Sequence, residues 1–316
     1  MSNFSRGLVV GLLLPLAAGV PLIALGLQYF PDLPLIGTFA RVLESAAPQI
    51  LVAGLPFILG LAIIGARRLA AGCVVLTLCT LAFLVLQHRL ASAPMLTGAT
   101  PDLRIVWFNT RFDNPHDPDE IARALRDTNA DVVMLGETYK LRQMKEDLRD
   151  LYPYQVGCIA ACEVMILSRH PFALRAIRDP GIAWKERMIV VDLTLPGRDD
   201  PVTMVALHMV KPWYFGITEL ETRHVIEELD KIDGPLILAG DLNAAPWSQR
   251  LRYLRARTDL TPPRVPVPTW PAAAGNFGVP IDHVLLRGGV RLVSFAPWGA
   301  SLGSDHRGIV AGLALP

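Results

Sequence analysis

Three uncharged apolar runs, residues 7–31, 45–66 and 69–88, constrain this chain more than any other feature. Residues 1–90 carry only Arg6, Asp32, Arg41, Glu44, Arg67, Arg68 and Arg89 as charges. A helix needs about 20 apolar residues to cross ~30 Å of hydrocarbon; the first and third runs meet that length and the second meets it marginally. Pro15, Pro21 and Pro56 kink such helices without forbidding them, because neighbouring helices re-satisfy the freed backbone groups. Arg6 followed by an apolar stretch also suits a cleaved signal peptide, but two further runs argue for a membrane domain of three transmembrane helices over residues 1–90. The bias of basic residues to the cytoplasmic side places Arg6, Arg67 and Arg68 inside and residues 31–48 outside, and everything after His88 then lies outside the cytoplasm. The inverted topology loses by a single basic residue, since it would retain Arg41 and Arg89.

Residues 91–316 hold 25 basic and 27 acidic side chains, a net of −2, which is no electrostatic footprint for a polyanion. A nucleic-acid partner is therefore less favoured, although bound divalent cations can supply positive charge. Cys73 and Cys79 fall in the third apolar run and read as plain core residues. Cys158 and Cys162 fall in the exported part, where oxidation is permitted; a disulfide closing a small loop and two reduced thiols both remain open.

Residues 91–102 read as a tether between the membrane domain and a domain spanning 103–316. "LRIVWFN" and "DVVML" are strand patterns flanking the helix pattern "DPDEIARALRDT", in which Asp117 is the N-cap, Pro118 N1 and Glu120 N3 of a capping box. Further strands are expected at 164–167, 188–195, 202–207, 236–239, 283–287 and 309–313, with helices at 217–231 and 247–257. Many strands with few helices predict an α/β (α+β) layered sandwich, with helices outside two mixed sheets.

The ends of those strands are polar. The stretch "PLILAGDLNAAPWS", residues 235–248, runs from buried apolar chain into Asp241 and Asn243, which share one side of an extended chain by its period of two. Taken alone, they also suit the capping of a following turn. Asn109, Glu137, His208, Asp282, and the pair Asp305 and His306 mark five further strand ends. If two packed sheets bring these ends to one mouth, carboxylates and amides without a Cys or His cluster suit Mg²⁺ or Mn²⁺.

The motifs "WFNTR", "LGETY", "ALHMV", "GDLNAAPWS", "PIDHVL" and "GSDHR", in this order over residues 103–314, resemble the endonuclease/exonuclease/phosphatase superfamily, the DNase I-like group of nucleases, inositol-phosphate phosphatases and sphingomyelinases. With the apolar runs ahead of them, they further resemble its bacterial membrane-anchored branch, including VanJ-type teicoplanin-resistance proteins. The resemblance implies a four-layer α/β sandwich and metal-assisted hydrolysis of a phosphate ester. By that resemblance, Glu137 ligates Mg²⁺ (or Mn²⁺) with Asn109 and Asp305 close to metal and phosphate. His306, oriented by Asp282, contacts phosphoryl oxygens. Asp241 orients or deprotonates the attacking water and Asn243 holds it in line. His208 stabilises a non-bridging oxygen or protonates the leaving group. Family members differ over whether Asp241 or His306 is the base. Arg111 and Lys211, just past strand ends, either clamp a phosphate or are solvated surface charges. The chain departs from the family at Gly136, where Gln is usual before the metal-binding Glu, so a supporting hydrogen bond is missing or replaced.

The expected activity is a phosphoesterase acting on a phosphorylated lipid or lipid-linked phosphate at the outer, periplasmic face of a bacterial cytoplasmic membrane. An exported nuclease is the alternative enzyme; the run of Lys and Arg interleaved with aromatics that single-strand binding favours is not evident. A catalytically inactive binding module would show eroded site residues, and none is lost.

Overall fold

The structure is a computed structural model that describes residues 3–316 apart from positions 32, 34, 143, 159, 162, 182 and 183. Two compact units partition the chain: Met1–Leu90 with Trp247–Gln249, and Ala91–Pro246 with Arg250–Pro316.

The first unit is helical: α1 (Asn3–Gly26), α2 (Ile36–Ser45), α3 (Ala47–Ile63) and α4 (Arg67–Leu90). Among the described residues, the span Asn3–Tyr29 and α4 are each long and apolar enough to cross a membrane. α2 and α3 pass the same test only as a pair, bent by 86°. Sequence alone assigns residues 31–48 no element, and the structure puts α2 there. Arg41 and Glu44, three residues apart on one face of that helix, form a buried ion pair at 3.2 Å. Proline in the first turn of α3, where its missing N–H is tolerated, starts a new helix. At 17 residues α3 is short for a crossing by itself.

The second unit contains β1 (Leu103–Asn109), α5 (Pro118–Asp127), β2 (Val132–Gly136), α6 (Met144–Asp147), β3 (Tyr154–Gly157), β4 (Val164–Ser168), β5 (Phe172–Arg178), β6 (Met188–Leu193), β7 (Val202–His208), α7 (Ile217–Leu229), β8 (Leu236–Asp241), α8 (Gln249–Thr258), β9 (Asp282–Arg287), β10 (Arg291–Trp298) and β11 (Gly308–Ala314). The strands form a six-stranded sheet, β10-β11-β1-β2-β4-β3, and a five-stranded sheet, β5-β6-β7-β8-β9. Each sheet has one parallel pair, β1 with β2 and β7 with β8. Parallel strands need a crossover, and α5 and α7 provide it.

Alternation along the strands builds the layers. Ile105 and Trp107 of β1 face the second sheet and pack in one core with Val191, Met204 and Ile237. Val106 and Phe108 face outward onto Ile121 and Leu125 of α5. On the far side, Val205 and Leu238 meet Val225 and Leu229 of α7 and Leu251 and Leu254 of α8. The result is a mixed α/β, two-sheet, four-layer DNase I-like sandwich, as the motifs implied.

Asp117 caps α5, but its side chain accepts from Asp119 N (3.0 Å), and Glu120 turns to His116 Nδ1 (2.9 Å) instead of closing the capping box. The segment read as a tether is bonded to the unit it enters: Ala93 N donates to Pro262 O (3.1 Å), Leu96 N to Leu292 O (2.7 Å) and Asp102 N to Leu313 O (2.8 Å). Cys73 and Cys79 carry free thiols and Cys158 is disulfide-bonded, while Cys162 lies outside the described residues.

Candidate active site

Strand register assembles the site. In the second sheet His208 stands level with Asp241, and Asp241 level with Asp282, so three polar side chains share one row at the strand ends. The glycine of "GDLN" is required there by close approach: a Cβ on Gly240 would lie 2.0 Å from Leu207 O. In the first sheet Asn109 is level with Gly136, which places Glu137 one residue past β2. Asp305 and His306 lie just before β11, with Arg307 between, and β11 is the other neighbour of β1.

Asn109 joins the two sheets. Its Nδ2 donates to Glu137 Oε1 and Asp241 Oδ2, each at 3.1 Å, while its Oδ1 accepts from Arg111 N at 3.0 Å. Phe112 N donates to Glu137 Oε2 (2.8 Å). Ser304 fixes the "SDH" turn by donating to Asn109 O (2.7 Å) and accepting from His306 N (3.0 Å). His306 Nδ1 lies 2.7 Å from Asp282 Oδ2, and its Nε2 lies 3.8 Å from Asp241 Oδ2. Of the two arrangements open to Asp241 and Asn243, the structure takes the turn: the strand ends at Asp241, Asn243 adopts φ 49°, and its backbone N donates to Asp241 Oδ1 (2.9 Å). A turn, not strand alternation, pairs them, and Asn243 Nδ2 is anchored on Met209 O (2.9 Å).

His208 faces Asp241 from the other side, with Nε2 3.6 Å from Asp241 Oδ2 and 3.9 Å from Glu137 Oε1. That nitrogen is buried and has no hydrogen-bond partner among the described residues, a state that costs about 1–3 kcal/mol unless a ligand supplies one. Behind it, Nδ1 lies 2.6 Å from Glu163 Oε1. Glu163 was not singled out by sequence reasoning, although "CEVMIL" puts a carboxylate at a strand start as "PIDHVL" does. Arg187 stands 3.9 Å from Glu163 and pairs at 2.8 Å with the buried Glu221, which also accepts from Val210 N (2.6 Å).

Electrostatics follow from this packing. Burial, then the nearby Asp282 charge, raises the pKa of Asp241. Burial opposes charge on His306, but the Asp282 carboxylate outweighs it and lifts the imidazole to about 10. Burial would likewise raise Asp282, yet His306, with hydrogen bonds from Thr269 and Trp107, holds it below the usual carboxylate range. Glu163 is lowered too, because contact with His208 and the Arg187 charge overcome burial.

The family model for the Endonuclease/Exonuclease/phosphatase family matches residues 106–306, well over half of the chain. The chain belongs to this family. Three solved structures share its fold. An endonuclease/exonuclease/phosphatase from Beutenbergia cavernae is 21% identical with TM-score 0.53, over 68% of this chain and 72% of that one. TDP2 from D. rerio, complexed with a single strand DNA product, is 18% identical with TM-score 0.55, over 67% and 98%. Sphingomyelinase C from Streptomyces griseocarneus is 23% identical with TM-score 0.51, over 67% and 99%. No curated protein matches the sequence.

For a family member, the donor chemistry can be tested against a divalent ion. Among the described residues Asp241, Asp282 and His306 offer ligand atoms within 4.8 Å of one another, a different group from Glu137, Asp305 and Asn109. Asp282 Oδ2 and His306 Nδ1 are engaged with each other, so that group reads as a hydrogen-bonded triad. Glu137, by contrast, has no Lys or Arg within ion-pair distance among the described residues and opens onto a cleft of about 290 Å³. Asp305 is exposed, accepting from Trp270 Nε1 (3.1 Å). Hard carboxylate oxygens with free lone pairs fit Mg²⁺ or Mn²⁺.

Glu163, His208, Lys211 and the aromatic rings of Phe112, Trp184 and Tyr214 also line the cleft. Lys211 Nζ sits over the Trp213 ring at 5.6 Å. Arg111 is directed to Asp113 at 2.6 Å, an exposed pair easily exchanged for another anion.

Proposed function

We propose that this family member is a divalent-metal-dependent phosphoesterase that hydrolyses a lipid or lipid-linked phosphate at the outer face of the cytoplasmic membrane. One observation carries the chemistry: two imidazoles, each backed by its own carboxylate, face the same buried oxygen, Asp241 Oδ2, at 3.6 and 3.8 Å. Such a pocket neutralises a phosphoryl group on two sides while keeping a carboxylate between them for a water proton.

In this reading Asn243 and Asp241 hold a water in line with phosphorus. The water oxygen bonds to phosphorus as the ester P–O bond breaks; its proton passes to Asp241, and His208 protonates the departing oxygen. His306, fixed by Asp282, donates from Nε2 to a non-bridging oxygen. Glu137, with Asp305 and Asn109, would hold Mg²⁺ or Mn²⁺, which when bound would supply positive charge against the phosphoryl oxygens. Lys211 supplies a further cation at the cleft.

The lipid assignment rests on the N-terminal helices that are long and apolar enough to cross a bilayer. It also rests on the resemblance to membrane-anchored members and on exposed Trp184, Trp213 and Phe215 beside the cleft, since aromatic rings favour the membrane interface. Arg6, Arg67 and Arg68 set the proposed orientation. An exported nuclease is the second reading, because the same rings beside Lys211 and Arg187 would also stack bases.

Full-length protein reconstituted in vesicles and supplied with Mg²⁺ or Mn²⁺ tests both, against a polyprenyl phosphate, a phospholipid, an inositol phosphate and single-stranded DNA. Higher kcat/KM on a lipid supports the proposal; a strong preference for DNA replaces it with the nuclease.

A further inference from the structure

At residue 136 the chain has Gly, and an indole occupies the room beside it. A Cβ built on Gly136 would lie 3.1 Å from Trp107 Cη2 and 3.2 Å from its Cζ2. Gly136 is not among the glycines with positive φ, so its backbone accepts any residue and only the ring excludes a side chain.

We propose that Trp107 is a positioning residue for His306, with Gly136 its steric complement; this deepens the phosphoesterase reading and rests on it. Trp107 is fully buried in the core between the sheets and crosses to the opposite sheet, where its Nε1 donates to Asp282 Oδ1 at 2.8 Å. The other carboxylate oxygen, Oδ2, faces His306 Nδ1 at 2.7 Å. Thr269 also holds Asp282, and the indole N–H adds a donor on the oxygen that does not meet His306, which narrows rotation about the carboxylate's broad terminal torsion. Donors on both oxygens fix its plane, and so fix where His306 presents Nε2. Gly136 leaves the room that lets the indole reach this carboxylate.

A ring that merely filled the core would be replaceable by phenylalanine. Trp107→Phe keeps most of the ring and removes the N–H, and its kcat on bis(p-nitrophenyl) phosphate with Mg²⁺ is expected to fall about tenfold with KM unchanged, the order expected for a hydrogen bond to a charged group. Gly136→Ala retains the indole and displaces it, and kcat is expected to fall several-fold, again at constant KM. The contact is also read without turnover. Of the six indole N–H resonances of ¹⁵N-labelled full-length protein, the one lost in Trp107→Phe shifts in Asp282→Asn. An unmoved resonance, or wild-type kcat in whichever of the first two variants folds, overturns the inference. Wild-type protein that hydrolyses no phosphoester refutes the phosphoesterase reading instead, and the resonance still decides the contact.

Discussion

Glu163 stands behind His208 as Asp282 stands behind His306, its Oε1 2.6 Å from His208 Nδ1 and reaching it from the other sheet. Glu163 precedes β4 of the first sheet and His208 ends β7 of the second, so the contact ties the sheets together beside the cleft. Glu163→Gln keeps the shape and removes the charge. We expect kcat to fall about 10- to 100-fold, the range for losing a carboxylate that orients a functional histidine, with KM little changed. Wild-type kcat in this variant would reduce Glu163 to a structural residue.

Metal removal gives a second test. Glu137 faces the cleft without a Lys or Arg partner among the described residues, as a ligand for a hard cation should. Excess EDTA is expected to abolish turnover and Mg²⁺ or Mn²⁺ to restore it; Glu137→Ala should lower the rate roughly 10²- to 10³-fold with little loss of folding. Full turnover in EDTA would sink the metal-dependent mechanism.

Much of this was legible in sequence because central strands and polar strand ends leave local signals. "LRIVWFN", "VVMLG" and "LILAGD" are buried throughout or nearly so. The strands that sequence reasoning missed, β3, β5 and β10, all lie at sheet edges. Edge strands need no continuous apolar face, and β5 shows it: Leu174 is exposed and the strand carries two arginines. Among site residues, Asn109, His208, Asp241 and His306 were visible at strand ends, whereas Glu163 gains its meaning only from the sheet packing that sets it against His208. The role of Trp107 leaves no local signal for the same reason: its partner, Asp282, is 175 residues away.

The ion pair of His306 and Asp282 makes stability pH-dependent in a defined direction. The folded-state pKa of His306 is raised from 6.5 to about 10, so its contribution is fully present below pH 6.5 and is lost as pH rises through about 10. In metal-free protein, the apparent Tm followed by tryptophan fluorescence should therefore decline between pH 7 and 10. His306→Gln should flatten that decline. Parallel profiles for the two proteins would remove this pair as the cause.

Oxidation state is checked by counting thiols. Cys158 is disulfide-bonded, and Cys73 and Cys79 carry free thiols. Unfolded without reductant, the full chain should expose two reactive thiols out of four cysteines, and four after reduction. Four thiols before reduction would show that Cys158 is reduced in the isolated protein.

The last prediction separates lipid from soluble substrates on one molecule. Trp213 and Phe215 are exposed in the segment between β7 and α7, and neither lines the cleft that holds Glu137 and His208. Replacing them should remove apolar contact with a surface, along with the contact of the Trp213 ring with Lys211 Nζ at 5.6 Å, whose loss a soluble substrate reads separately. Rings at a bilayer interface bury apolar area at about 25 cal/mol per Å² removed from water, so two of them exert a sizeable hold on the orientation of the cleft. For Trp213→Ser with Phe215→Ser in reconstituted full-length protein, we expect kcat/KM on a vesicle-borne lipid phosphate to fall about tenfold or more, and turnover of bis(p-nitrophenyl) phosphate to stay within about twofold of wild type. Equal losses on both substrates would mean that the rings support the fold. An unchanged lipid rate would remove Trp213 and Phe215 from substrate access and leave a membrane-borne substrate to rest on the N-terminal helices, Trp184 and the resemblance to membrane-anchored members.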